Sequence, residues 1–240
     1  MYFLGCIVFL GLAYTNWAEQ TPEIIPIPGG MTGKGITTRY WDCSKPSCAW
    51  IENLPSGVVN PAHSCDIDGS TIVSPHTQSS CDPKADPPVA FMCTDQQPWI
   101  VNSTLSYGFA AASFEGGVDE SRCCTCMLLS FQGQLAGKQH LIQITNTGSD
   151  LSQNQFDLSL PGGGVGLCTV SCARMFGCEP TGWGEQYGGI SSLEECDDLP
   201  KVLQPGCRWR WEFMEGVPNP EVTFQEVQCP KEIVNVSGCY

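Results

Sequence analysis

The sequence predicts a mainly β fold, a small barrel wrapped in long loops that disulfides tie down. Helical periodicity is scarce. Short runs rich in β-branched and aromatic residues recur instead: WIVN, HLIQITNTG, QFDLSL, RWRWEF and VTFQEVQC, with Gly, Pro, Asn and Asp between them. Sixteen cysteines in 240 residues suit loops held by cross-links.

The chain opens with MYFLGCIVFLGLAYTNWAEQ, almost wholly apolar from residue 2 to 14 and then small and polar. This reads as a signal peptide over residues 1–18, with cleavage near Thr15 to Ala18. The apolar run is short for a membrane span, and no later stretch is long enough. Residues 19–36 are rich in Pro and Gly and contain no cysteine, which marks a leader outside the core. From Thr37 to Tyr240 cysteines recur without a linker or repeat, so residues 37–240 are expected to form one domain. RWRWEF alternates charge with aromatics, as a strand with one buried face would. SSLEECDDL predicts a short helix with a Ser N-cap and an acid three positions on.

A formal charge of −14 excludes nucleic acid as a partner, since nothing would neutralise phosphates. An uncharged or cationic partner fits better. Three scattered histidines, His63, His76 and His140, do not make zinc sites, and CCTC at 123–126 reads as oxidised in a secreted chain. Asn102 and Asn235 stand in glycosylation sequons.

Several catalytic constellations fail. No histidine lies near a nucleophile-elbow motif. PGGGVG at 161–166 lacks the Lys-Ser/Thr ending of a phosphate loop and reads as a turn where backbone passes close to something. Carboxylates remain. Asp157, between Phe156 and Leu158, either points outward without a role or sits in apolar company that raises its pKa and suits a proton donor. Asp42, near Arg39 and Lys45, is either a turn-capping or salt-bridged acid, or a base held ionised by those cations. Two acids under opposite pressure are the parts a glycosidase needs. Tyr40, Trp41 and Trp50 serve either core packing or sugar stacking.

Taken together, TTRYWDCSKPSC and DLSQNQFDLSLPGGGVG resemble the secreted endoglucanases of glycoside hydrolase family 45. PWIVNSTLSYGFAAASF, RCCTCMLLSF, GGISSLEECDDLP, LQPGCRWRWEF and FQEVQCP extend the resemblance over Thr37 to Tyr240. It implies a six-stranded double-psi β-barrel with an open groove and a few short helices. It also implies inverting hydrolysis of internal β-1,4-glucosidic bonds, with no cofactor or metal. Asp157 matches the general acid, Asp42 the general base and Asp150 an assisting acid. Trp50 and Tyr187 match groove aromatics, and Tyr40 and Lys45 lie beside the base. The implied partner is a β-1,4-glucan, with a monomeric, secreted enzyme that touches neither nucleic acid nor membrane. No carbohydrate-binding module is recognisable.

The resemblance also implies disulfides Cys43–Cys172, Cys48–Cys123, Cys65–Cys93, Cys124–Cys239, Cys126–Cys229 and Cys196–Cys207. The family pattern DCCKPSC carries Ser44 here, and the missing cysteine's partner would be Cys81. The expectation is a Cys168–Cys178 bridge with Cys81 free. Gln155 stands where a His often precedes F-D-L. Other functions stay open: a xyloglucanase of the same fold, a non-hydrolytic expansin-like wall-loosening protein, or a paralogue that binds glucan without cutting. Expansins lack the T-R-Y-W-D base and carry a second domain.

Overall fold

The computed structural model describes residues 22–117, 119–148 and 153–240. The signal segment, residues 1–18, and Asp150 lie outside these. In chain order the strands are β1 (Thr32–Tyr40), β2 (Ser64–Cys65), β3 (Phe91–Met92), β4 (Trp99–Ile100), β5 (Leu105–Ser113), β6 (Cys126–Phe131), β7 (Gln139–Thr147), β8 (Gln155–Ser159) and β9 (Glu221–Val227). The helices are α1 (Ser171–Phe176), α2 (Gln204–Glu212) and α3 (Lys231–Ser237), with several short 3-10 turns.

Six strands close a ring in the order β5-β7-β6-β9-β1-β8, and β8 pairs back to β5. The pairings β5–β7 and β1–β8 are parallel and the others antiparallel. This is the six-stranded barrel that the resemblance implies. Closure leaves no free edge on these strands. Alternation fills the interior: Ala110 and Ala112 from β5, Met127 and Leu129 from β6, Ile142 and Ile144 from β7, Phe156 and Leu158 from β8, Val222 and Phe224 from β9.

The described part of the Pro/Gly-rich stretch, residues 22–36, is not a leader outside the core. Residues 32–36 are the first half of β1, and Pro26 pairs with Val227. Met31 packs against the barrel core. The glycines are there for space. A Cβ on Gly33 would stand 2.9 Å from the Phe224 ring, and one on Gly35 2.6 Å from the Asn154 carbonyl oxygen.

RWRWEF is also not a strand; it ends α2. Pro205 in the first turn presets the helical φ. Trp209 and Phe213, four apart, stack at 5.6 Å against the barrel core. Arg210 is buried, stacks on Trp211 and donates to the Ile190 carbonyl at 2.7 Å. The alternation of charge and ring mimicked a strand, while burial at 206, 207, 209, 210 and 213 follows the helical period. SSLEECDDL does form a short helix, but a 3-10 one over Glu194–Asp198. Leu193 precedes it without a side-chain cap, and the Ser191 hydroxyl donates to Glu195 at 2.8 Å instead.

Six disulfides pair as the resemblance implies. The seventh joins Cys81 to Cys168, and Cys178 is the free thiol among the described residues. Arg174 explains the exchange. Its guanidinium takes the carbonyls of Ser80, Asp82 and Pro83 and docks that loop on α1. The buried Ser80–Ser171 hydroxyl pair at 2.7 Å seals the contact, so Cys81 meets Cys168. Cys178 lies past the left-handed Gly177 that ends α1.

Candidate active site

β1 delivers Asp42 and β8 delivers Asp157. The two strands run parallel, with Thr38 opposite Asp157 and Tyr40 opposite Ser159. β1 ends at Tyr40, and the chain is clamped at once. The Trp41 amide donates to Gly164 at 2.7 Å, and Leu160 donates to Tyr40 at 2.8 Å. Cys43 takes a left-handed φ of 61° and is bonded to Cys172 of α1. Ser44 bridges to Phe91 of β3. Asp42 therefore sits on a segment fixed on both sides.

The PGGGVG turn is part of this clamp. A Cβ on Gly163 would lie 2.8 Å from the Leu160 carbonyl and 2.9 Å from the Tyr40 nitrogen. Backbone crosses backbone here, as the sequence suggested, and only glycine leaves room.

The Asp42 carboxylate is partly buried. Its Oδ1 accepts from the Ser44 amide and its Oδ2 from the Ser44 hydroxyl, both at 2.9 Å. Desolvation pushes its pKa up to about 6, against the pull of the Ser44 hydrogen bonds. The expected cationic neighbours do not hold it ionised. Lys45 gives its ammonium to the carbonyls of Pro75 and Thr77 at 2.6 and 2.9 Å and lies 3.3 Å over the Trp50 ring. Burial lowers the Lys45 pKa to about 8. Arg39 donates to the Gly188 carbonyl at 3.0 Å and to Asn219 at 2.8 Å.

Asp157 lies on the outer face of the barrel. Phe156 and Leu158 point into the core, so of the two placements the sequence left open the outward-facing one is found, and these side chains do not surround the carboxylate. On that outer face its strand neighbours are Thr38 and Ala111. The face is the wall of a cleft of about 440 Å³, lined also by Arg39, Tyr40, Gln186, Tyr187 and Asn219. Burial lowers the Arg39 pKa, and attraction to Asp157 opposes that.

Tyr40 is influenced by both acids. Its buried phenol accepts from Asn146 at 3.1 Å and lies 3.4 Å from the Ser159 hydroxyl. Burial raises its pKa beyond the ordinary range, and the charges of Asp42 and Asp157 both add to the rise. One phenol thus feels both carboxylates.

Tyr187 is exposed at the cleft rim. Trp50 lines a second depression of about 480 Å³ with Glu52, Asn53, His76 and Gln78. Asn146 ties the two regions: its oxygen accepts from the Ser47 amide at 2.8 Å while its nitrogen reaches Tyr40. Trp41 goes to the core. Sequence reasoning missed Ser44 and Asn146. The Asp-x-Ser spacing was a usable signal, because an Asx turn places such an amide on the carboxylate; nothing local marked Asn146. Among the described residues no cluster of His, Cys, Asp and Glu could hold a metal, and no helix is long and apolar enough to cross a membrane.

Residues 34–240 match the pattern of glycosyl hydrolase family 45. An endoglucanase of Phaedon cochleariae is 53% identical over 97% of this chain and 96% of its own length. An endoglucanase of Cryptopygus antarcticus is 42% identical over 90% and 93%. The crystal structure of a cellulase from that Antarctic springtail superposes with a TM-score of 0.80, at 42% identity, over 87% of this chain and 97% of the other.

Proposed function

Because the chain belongs to glycosyl hydrolase family 45 and is an endoglucanase, we propose that it cuts internal β-1,4-glucosidic bonds by inversion, with Asp157 as general acid and Asp42 as general base. The observation that carries this reading is that Asp157 lines the cleft together with Tyr40 of the neighbouring parallel strand, two residues before Asp42.

Asp157, protonated, gives its proton to the glycosidic oxygen as the bond to the anomeric carbon breaks. Asp42 takes a proton from the water that attacks this carbon from the opposite face. Each Asp42 oxygen accepts one bond from Ser44 and keeps a lone pair for that water. Inversion needs roughly 6.5–9.5 Å between the carboxyl groups to seat the water.

The glucan is taken to run along the Tyr187 rim, past the acids, toward the Trp50 depression, with sugar faces on the rings. Lys45 serves binding indirectly, by holding Trp50. Asp150 keeps the assisting role that the resemblance implies. A net charge of −14 suits an uncharged polysaccharide better than an anionic one. The disulfides fit an extracellular enzyme.

The test is reducing-sugar release from carboxymethylcellulose and xyloglucan. Asp157→Asn and Asp42→Asn should each lose activity by about a thousandfold or more while still binding glucan. NMR should show the α-anomer first. A first-formed β-anomer, or an Asp157→Asn enzyme as fast as the wild type, refutes the mechanism.

A further inference from the structure

Ser44 occupies a position that the family pattern gives to a cysteine, and its side chain has another occupation here. Its hydroxyl donates to one oxygen of Asp42 and its amide to the other, both at 2.9 Å. Cys81, the partner that a cysteine at 44 would take, is bonded to Cys168. Position 44 is thus released from cross-linking and carries a buried hydroxyl turned on the carboxylate.

The surroundings leave that hydroxyl little competition. On β1, Arg39 is committed to Gly188 and Asn219. Lys45 is committed to Pro75, Thr77 and the Trp50 ring, and the charge that acts on it is that of Glu52. On α1, to which Cys43 is bonded, Arg174 is committed to three loop carbonyls. The Tyr40 phenol, its pKa raised by burial and by the charges of Asp42 and Asp157, stays neutral and gives Asp42 no positive partner. A carboxylate taken out of water needs donors to stay ionised. Among these side chains Ser44 supplies one.

We propose that Ser44 is a positioning residue for the base: its hydroxyl aims the Asp42 carboxylate and keeps it ionised where no cation does. This deepens the reading of Asp42 as the base and rests on it. A charge-assisted hydrogen bond favours the ionised acid, so its loss moves the ionisation upward. The base works only when ionised, so the acidic limb of the pH profile follows.

The experiment measures kcat and KM against pH on soluble xyloglucan and carboxymethylcellulose for wild type, Ser44→Ala, Ser44→Thr and Asp42→Asn. Ser44→Ala should move the acidic limb of kcat up by about one pH unit and lower kcat several-fold near pH 6, with KM little changed. Ser44→Thr keeps the hydroxyl and should bring the limb back. Thermal melts of each variant report folding. An Ser44→Ala enzyme that melts lower but keeps the wild-type limb, or a Thr variant that behaves like Ala, overturns the proposal. If Asp42→Asn remains active, the assignment of the base fails instead, and the two failures are separate results.

Discussion

At the residue scale, Asp42 is costly to the fold in the ionised state that its proposed role as base needs. Burial raises its pKa from 3.8 to about 6. The unfolded chain therefore releases this proton at lower pH than the folded one. Stability from this group is present below pH 4 and is lost as pH rises to about 6. At pH 8 the charge costs about 1–3 kcal/mol, allowing for partial solvent contact. Asp42→Asn should thus melt higher than wild type by a few degrees at pH 8, with the gap closing toward pH 4. Differential scanning calorimetry across that range checks it, and a constant gap would mean that the carboxylate is not strained by burial. The same ionisation predicts that activity falls as pH drops through about 6.

At the element scale, β1 matters through its far end. The strand ends at Tyr40 against the Gly162–Gly164 turn, with Leu160, Gly163 and Gly164 packed on its backbone. Gly163→Ala puts a methyl where carbonyl and amide already meet. The turn must shift, at about 1–3 kcal/mol, and the Asp42 segment shifts with it. The expected result is a lower melting temperature and a kcat reduced by tenfold or more, since a misplacement of about 1 Å costs that much. Full activity in this variant would show that the turn only fills space. On α3, Asn235 is exposed, whereas Asn102 is buried and its oxygen caps the turn into β5. A glycan is therefore expected at Asn235 and not at Asn102, and intact mass of Asn235→Gln and Asn102→Gln proteins from a secretory host decides it.

At the scale of the whole molecule, the barrel is held closed by its own pairing, and the cross-links tie the loops that carry the site. Cys43–Cys172 spans 129 positions and anchors the residue after Asp42. Cys81–Cys168 fixes the loop docked by Arg174. Cys81→Ser should cost about 2–5 kcal/mol, and Cys178→Ser close to nothing. Chemical denaturation of both proteins measures the difference. Equal losses would mean that Cys178 shares the bridge.

The sequence by itself determined the fold class, the strands β4, β7, β8 and β9 in outline and which acids to examine, and through its resemblance to a known family six of the seven cross-links, because runs of β-branched residues and ordered motifs are local or linear signals. It misread 32–36 and RWRWEF, where glycines serve a distant ring and an alternating pattern coincides with a helix. Only the tertiary structure decided where the cations go. Arg39 and Lys45 are neighbours of Asp42 along the chain, yet their charges are spent on Gly188, Asn219, Pro75 and Thr77, and a hydroxyl is left to serve the carboxylate. Electrostatic partnership depends on distance through space, and the folded backbone sets that distance.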